Sequence, residues 1–234
     1  MSAVAWVRVR APFAAFRWLQ AGVYRATSPV ITPSAAWGLL LNLAAIETRG
    51  PLDTPVTQVR AEAPPLAVAI GAISAASVAT VYQQLHSYPV GNSGKELQAR
   101  THGAKYWIAP AKREVLVDLD CVIGARGDAA LLDRIRSGLR GELQSDRYGL
   151  PFAGDNNFFF HELREVASPP EARWYVPVGS ASGPVQGSTR LTVSIDRGDS
   201  SRTVARVFAP GEATAEPPEG AWTWVPREGA PADG

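Results

Sequence analysis

Aromatic and basic residues alternate in a short stretch near the start of the chain. Arg17 and Trp18 precede Tyr24 and Arg25 by only a few residues. A guanidinium group can donate paired hydrogen bonds to a phosphate, and an aromatic ring offers a surface on which an unpaired base stacks. The stretch therefore predicts a single-stranded RNA site. The alternative is that the rings belong to the core and the arginines are solvated surface charges.

Cations outnumber acids again between residues 78 and 113, where Glu96 is the one acid. Glycines in this region permit a close approach of the backbone to phosphate, and its cations supply electrostatic affinity for a polyanion. Its composition is typical of a long hairpin or loop that projects from the body. A solvated face is the alternative. The residues predicted to contact RNA here are Lys95, Arg100, His102, Lys105, Tyr106, Lys112 and Arg113.

The histidines raise a second possibility, which is metal-free cleavage of RNA. His86, His102 or His161, acting with a tyrosine or lysine, could activate a 2′-hydroxyl group. The spacing of these residues does not bring them together, so RNA binding without catalysis is favoured. Three histidines and one cysteine, widely separated, give no metal-ligand spacing, and no nucleotide-binding motif is complete. We therefore expect neither a metal nor a cofactor.

The 234 residues carry a net charge of only +1, but the charge is unevenly distributed. Residues 1–113 contain 11 Lys and Arg against 4 Asp and Glu, whereas residues 114–234 contain 12 against 18. A basic first half favours a polyanionic partner on one side of the molecule. Because no apolar run reaches about 18 residues and no signal peptide is evident, we expect a cytoplasmic protein that does not cross a membrane.

The elements that position these residues follow from the apolar pattern. Thr32 and Pro33 mark the start of an apolar helix that extends to residue 47, and Asp128 is placed to cap an amphipathic helix over residues 128–143. Pro12 is expected to end the first strand, which covers residues 5–10. Residues 150–158 are expected to form a loop. The remaining predicted strands cover residues 54–60, 66–73, 115–123, 174–178, 190–195 and 203–208.

This order of elements predicts an α+β fold: a ferredoxin-like antiparallel sheet with helices on one face and a small C-terminal β region. One domain is expected over residues 1–210, with the projecting hairpin at about residues 82–114. Residues 211–234 are rich in proline and glycine and are expected to form a loosely ordered tail, apart from Trp222 and Trp224.

Four stretches resemble a known family of proteins. They are residues 10–17 (RAPFAAFR), 32–43 (TPSAAWGLLLNL), 101–116 (THGAKY through REVL) and 148–158 (YGLPFAGDNNF). In this order they resemble the CRISPR-associated subunits of the Cas-five type, within the RAMP superfamily. The resemblance is greatest to the DevS, or myxobacterial, branch, which is similar to type I-B.

The resemblance implies an RRM-like domain with a projecting β-hairpin thumb. It also implies a place in a Cascade-type surveillance complex, where the subunit caps the 5′ handle of the crRNA. The implied partners are a Cas-seven-type backbone subunit and a Cas-eight-type large subunit, with a Cas-six-type endonuclease and target DNA nearby. The branch occurs in antiviral defence and in CRISPR-associated transposon systems.

One departure from the family bears on catalysis. In the type I-C branch the Cas-five-type subunit cuts precursor RNA with a tyrosine and an adjacent lysine–histidine pair. In this chain His102 lies near Lys105, but the adjacent pair is missing. The resemblance therefore implies a subunit that holds RNA without cutting it, and the alternative is an endoribonuclease that processes precursor crRNA.

Overall fold

The computed structural model describes residues 4–17, 24–50, 58–89, 106–179, 183 and 185–227. Two α-helices, two short 3-10 helices (Ser200–Arg202 and Glu219–Ala221) and ten strands lie within this part of the chain. The α-helices are α1 (Pro33–Leu43) and α2 (Ala129–Arg140). The strands are β1 (Val4–Ala14), β2 (Tyr24–Arg25), β3 (Leu66–Ala72), β4 (Ser77–Pro89), β5 (Tyr106–Arg126), β6 (Glu162–Val166), β7 (Ala172–Pro177), β8 (Thr189–Ser194), β9 (Val204–Thr214) and β10 (Thr223–Val225).

The strands form one mixed sheet in the order β6-β1-β5-β3-β7-β9-β8, to which β10, β2 and β4 add by pairing with β3 or β5. Every pairing is antiparallel except that of β2 with β5. The succession β1-α1-β3-β5-α2-β6 is the strand–helix–strand–strand–helix–strand order of a ferredoxin-like unit. The predicted α+β class is confirmed, and β4 is an insertion between the second and third strands of this unit.

The main core lies between the sheet and the two helices. Alternate residues of β1 and β5, such as Val7, Val9 and Ile123, point to this side and are buried with Leu40 and Leu132 of the helices. The period-2 pattern of the strands and the apolar character of α1 produce this arrangement. The two helices and the inward side chains of the sheet therefore define the body on which the site is built.

Both predicted helix starts are confirmed. The Thr32 hydroxyl accepts a hydrogen bond from Ala35 N at 3.3 Å, and Asp128 accepts one from Leu131 N at 3.0 Å. The predicted end of α1 at residue 47 is wrong. The helix ends at Leu43 because Ala45 has a left-handed φ of 52°, a conformation that stops a helix and for which an alanine gives no sequence signal.

The first strand is longer than predicted, because β1 runs past Pro12 to Ala14. Beyond Arg10, β1 has β5 as its one neighbour among the described strands, since β6 pairs only with residues 6–10. A proline is tolerated at such an edge, where the absent N–H removes no necessary ladder hydrogen bond. The extension brings Phe13 and Ala14 alongside β5.

The projecting region expected between residues 78 and 113 is built on two paired strands. β4 and β5 pair from Ser77 opposite Val117 to Pro89 opposite Tyr106. Residues 90–105, between them, are outside the described part of the chain. The long β5 therefore continues from the centre of the sheet into a two-stranded arm.

The segment after residue 210 is more ordered than the sequence suggests. β9 continues to Thr214, and β10 pairs with β3 through Thr223 and Val225. Trp222 packs beside Trp6 on the face of the sheet opposite the two α-helices. The expectation of a loosely ordered tail is wrong for residues 211–214, which extend β9, and for residues 221–225, where burial of Ala221, Thr223 and Val225 stabilises the segment. The division into one domain and a tail stays a prediction.

Two smaller differences concern short strands. The strand predicted over residues 54–60 lies partly outside the described residues, and Val59 forms only an isolated bridge with Arg49. β6 was not predicted, since its residues are about equally polar and apolar.

Among the described residues, no helix combines the length and apolar character needed to cross a membrane.

Candidate nucleic-acid interface

Two groups of predicted RNA-binding residues, far apart in sequence, meet at the base of the arm. β2 pairs in parallel with β5, so Tyr24 lies opposite Lys112 and Arg25 lies opposite Arg113. Nearby, Arg17 forms an isolated bridge with Thr27. We call Arg17, Tyr24, Arg25 and Lys112 the junction cluster. The fold thus joins the aromatic–basic stretch to the base of the predicted thumb.

The alternation of β5 separates two neighbouring cations at this junction. Lys112 is exposed, whereas Arg113 is buried, with 3% of its side chain accessible. Ala111 and Val115 are buried on the same side as Arg113. Because successive side chains of a strand point to opposite faces, one of two adjacent cations has to face inward. Arg113 therefore does not offer a surface for RNA in this structure, which corrects its predicted contact role.

A buried carboxylate holds the inward arginine. Asp155 lies within ion-pair distance of both Arg17 and Arg113, and its side chain is 5% exposed. The Arg113 Nη2 contact with Asp155 Oδ2 is ionic, without hydrogen-bond geometry. The Arg113 guanidinium also lies 5.2 Å from the centroid of the Phe158 ring. Asp155 therefore ties the residue-17 segment to β5 through one carboxyl group.

The pKa of Asp155 reflects this balance. Burial alone would raise the pKa of the Asp155 carboxyl, but hydrogen bonding from Asn157 N and the guanidinium groups of Arg113 and Arg17 hold it below its ordinary value. Asn157 donates to Asp155 Oδ1 from its backbone N at 3.0 Å and from Nδ2 at 2.8 Å. The carboxylate is consequently ionised at neutral pH and neutralises part of the arginine charge.

The loop that carries Asp155 is fastened to the end of β1. Ala15 N donates to Ala153 O at 2.9 Å. Gly154 has a φ of 78°, and a Cβ there would lie 2.3 Å from Ala15 O. Only glycine fits this close approach and left-handed backbone. The Gly154-Asp155 pair is thus positioned by the strand that precedes the junction cluster.

Tyr24 is held by an acidic neighbour on β5. Its hydroxyl donates to Glu114 Oε1, and Glu114 Oε2 accepts from Thr27 N at 3.0 Å. The hydrogen bond to Glu114 raises the pKa of the Tyr24 phenol, which therefore remains protonated. The residue is 48% exposed. Its ring is thus oriented at one end while remaining available for stacking.

The two remaining members of the cluster are cations that have no ionic partner among the described residues. Within the described part of the chain, the side chains of Arg25 and Lys112 form no hydrogen bond or ion pair. Lys112 is exposed and Arg25 is partly buried. Lys112 is paired with Tyr24 and Arg25 with Arg113, so the two cations project from opposite faces at the edge formed by β2 and β5. Such unneutralised charges attract phosphate more strongly than charges already paired with carboxylates.

The other predicted contacts are not positioned here. Trp18, Lys95, Arg100, His102 and Lys105 lie outside the described residues, and Tyr106 is the first residue of β5. Sequence reasoning missed Asp155 as the residue that joins the two arginines. The available signal was an aspartate after a glycine in the quoted stretch of residues 148–158, but its arginine partners lie more than 40 positions away.

Side chains that could ligate a metal are scattered in the described part of the chain, and its cysteine is buried. No group of three His, Cys, Asp or Glu side chains there is placed to hold a metal ion. Cys121 is buried as predicted, and burial raises the pKa of its thiol. The arrangement at the junction is suited to binding an anion and stacking a ring.

Comparison with models of known protein families identifies the family of the chain. The model of the family described as CRISPR-associated protein (Cas_Cas5) matches residues 6–141, from β1 to just beyond α2. Because the match covers more than half of the 234 residues, the chain belongs to the CRISPR-associated Cas5 family. The family predicted from the four sequence stretches is confirmed. The matched region contains the whole junction cluster, whereas Asp155 lies beyond it.

Two solved structures are similar to the chain to different degrees. The fold is similar to that of a chain in a CRISPR RNA-guided surveillance complex, with a TM-score of 0.56 and 13% identity over 90% of each chain. A structure of a Cas protein has a TM-score of 0.45 and 13% identity, covering 90% of this chain and 94% of the other. No curated protein sequence matches the chain. The first of these likenesses supports a Cas5-like mixed fold with a large sheet and two helices.

Proposed function

We propose that this Cas5-family chain is a subunit of a CRISPR RNA-guided surveillance complex and that its junction cluster binds the 5′ handle of the crRNA. The observation that carries the proposal is the exposed ring of Tyr24 opposite Lys112 on the adjacent strand, followed in sequence by Arg25, with neither cation in an ion pair among the described residues. Family membership and the likeness to a chain of a surveillance complex support the choice of RNA as the polyanion.

The geometry suggests a role for each residue. Lys112 and the Tyr24 ring, which are paired on adjacent strands and share one face, contact a phosphate and its base, and Arg25, which follows Tyr24 and projects from the other face of β2, contacts a neighbouring phosphate. The Tyr24 ring stacks on a base, and its hydrogen bond to Glu114 fixes the orientation of that ring. Arg17, which is 43% exposed, contributes a third cation that Asp155 holds in place. Phosphate contacts and a stacking ring together are a common basis for binding single-stranded RNA.

The remaining parts of the proposed assembly follow from the family. The β4–β5 arm contacts a Cas-seven-type backbone subunit as a thumb, and another surface contacts a Cas-eight-type large subunit. A Cas-six-type endonuclease and target DNA belong to the same complex. We place the chain in the DevS branch, in antiviral defence or RNA-guided transposition, on the strength of residues 148–158. Its proposed role is to hold RNA in the cytoplasm without catalysis.

The proposal is tested by handle-RNA binding to the purified full chain, measured by fluorescence anisotropy at moderate salt. Arg25→Ala combined with Lys112→Ala is expected to weaken binding about tenfold or more. Each charge-assisted contact contributes about 1.5–3 kcal/mol, and water that replaces the lost side chains at the phosphates offsets part of this loss. For single-stranded RNA, loss of two phosphate contacts should also flatten the log–log salt dependence by about 1.4.

A matched pair of variants controls for loss of charge alone. Arg173 and Arg190 lie on β7 and β8, are exposed, and have no side-chain partner within the described residues. The Arg173→Ala and Arg190→Ala double variant should retain binding to within about twofold, as expected for distant surface charges screened by salt. Equal losses in the two double variants, or no loss in either, would contradict the proposed site.

A further inference from the structure

A groove begins at the junction cluster and leads away from the arm. Its larger part has a volume of about 1010 Å³, and Arg17, Gly154 and Asp155 form the end nearest the junction. Thr32 and Ser34 at the start of α1 line one wall, and residues 192–197 line another. A smaller part of about 250 Å³ adjoins it and shares Val59, residues 194–197 and Pro226 with it. The two parts form one continuous path.

The charged residues that line this path are mainly cationic. Five are arginines, and two are aspartates: Arg17, Arg60, Arg197, Arg202, Arg227, Asp155 and Asp196. The two aspartates are engaged within the protein, Asp155 by arginines and Asp196 by backbone N–H groups of its own turn. The groove therefore has a positive field that runs from the junction cluster to the turn after β8.

Arg197 is held out in a rigid turn. Asp196 Oδ1 accepts hydrogen bonds from Gly198 N and Asp199 N, each at 2.9 Å, and Thr203 Oγ1 accepts one from Asp196 N at 3.0 Å. The Arg197 side chain is exposed and makes no hydrogen bond or ion pair with the described residues. A fixed backbone with a free guanidinium group is suited to a phosphate contact, because little backbone entropy is lost on binding.

Apolar surface accompanies these charges. Phe152, which lines the larger part of the groove, is 48% exposed, and Val59, which is common to both parts, is 40% exposed. An exposed aromatic ring among arginines is the combination that holds single-stranded nucleic acid without reading its sequence.

We infer that the groove binds the RNA strand as it leaves the junction cluster, with Arg197 and Arg202 contacting its phosphates and Phe152 offering a stacking surface. Arg202 Nε lies 3.3 Å from Asp199 Oδ2, and this exposed pair leaves its other guanidinium donors for a phosphate. This inference rests on the proposed function, because Arg17 belongs to both sites. It extends the RNA-binding surface from the base of the arm to the turn between β8 and β9.

The test measures affinity of the full chain for a series of single-stranded RNAs of about 4 to about 16 nucleotides, a range typical of such grooves. Arg197→Ala with Arg202→Ala is expected to weaken binding of the longest RNA at least fivefold. Its affinity for the shortest RNA that binds the native chain should stay within twofold of the native value. The Arg25→Ala and Lys112→Ala variant should weaken binding at every length. The Arg173→Ala and Arg190→Ala variant is the matched control.

The outcomes separate the two proposals. If the Arg197 and Arg202 variant equals the control at every length while the Arg25 and Lys112 variant loses affinity, the groove inference is overturned and the junction site stands. If only the groove variant loses affinity, the junction site is wrong. A loss from the groove variant that is the same at all lengths also overturns the inference, because it shows no path beyond the junction.

Discussion

Two arginine-rich surfaces of the described residues differ in how far their charge is neutralised. On the face of the sheet without helices, a sheet-face ladder joins Arg8, Arg10, Asp120, Glu162 and Arg164 across β1, β5 and β6. Arg8 forms a two-pronged bond with Asp120 at 2.7 and 3.0 Å, and Arg10 and Arg164 share Glu162 at 3.2 and 2.8 Å. At the junction cluster, Arg25 and Lys112 have no such partner within the described residues.

The difference shows why the number of arginines is a poor guide to function. A carboxylate beside a guanidinium satisfies its donors and cancels most of its field at distance, whereas an unpaired cation keeps both. The hydrogen bond to Asp120 even raises the pKa of Arg8, as expected for a structural ion pair. The ion pairs of the ladder therefore link three strands of the sheet. The cations of the junction cluster and its groove are instead available to bind a polyanion.

The largest expected effect concerns the carboxylate that anchors the junction. Asp155→Asn should lower the free energy of unfolding by about 3 kcal/mol, because it leaves Arg113 buried without a counterion. Urea denaturation of the full chain measures this. Asp133→Asn is the control, since Asp133 is 74% exposed in its pair with Arg136 and should cost less than about 1 kcal/mol. Equal, small losses would show that Asp155 is not an anchor.

The same carboxylate should make stability sensitive to acid. The pKa of Asp155 is lowered in the folded chain, so its stabilisation is complete above the unfolded-state value of about 3.9 and is lost as pH falls through the folded value. Urea midpoints of the native chain and Asp155→Asn should therefore converge as the pH is lowered below about 4. A constant difference down to pH 2 would contradict this account.

The sheet-face ladder should affect stability modestly and RNA binding hardly at all. Arg10→Ala with Arg164→Ala is expected to cost about 1 kcal/mol of stability, because both pairs are partly exposed. Its affinity for handle RNA, measured by anisotropy, should stay within about twofold of the native chain. A tenfold loss with an unchanged urea midpoint would mean that the ladder itself contacts RNA, and the contrast between the two surfaces would fail.

The smallest expected effect concerns cleavage, because we expect the RNA to remain intact when it is incubated with the chain. Incubation of purified protein with repeat RNA in EDTA should give no site-specific product on a denaturing gel. The Tyr24 phenol, whose pKa is raised by Glu114, is a weak candidate for a general base, and the adjacent lysine–histidine pair is missing. A specific cut that Tyr24→Phe abolishes would make the junction cluster an endoribonuclease site.

Local pattern predicted much of the fold, while the site depends on contacts between distant segments. The caps at Thr32 and Asp128 and the strand over residues 66–72 follow from short-range signals. The parallel pairing of Tyr24 with Lys112 joins segments almost 90 residues apart, and no local signal specifies it. The inward position of Arg113 could have been predicted by extending the alternation of Val115 and neighbouring residues back along β5.

The most direct test is to map crosslinks between the chain and handle RNA. RNA carrying photoreactive uridines would be irradiated with the full chain, and crosslinked peptides would be identified by mass spectrometry. The account predicts crosslinks to peptides containing Tyr24 or Lys112, and their loss in the Arg25→Ala and Lys112→Ala variant. Crosslinks confined to peptides of the sheet-face ladder, around Arg8 or Arg164, would contradict it.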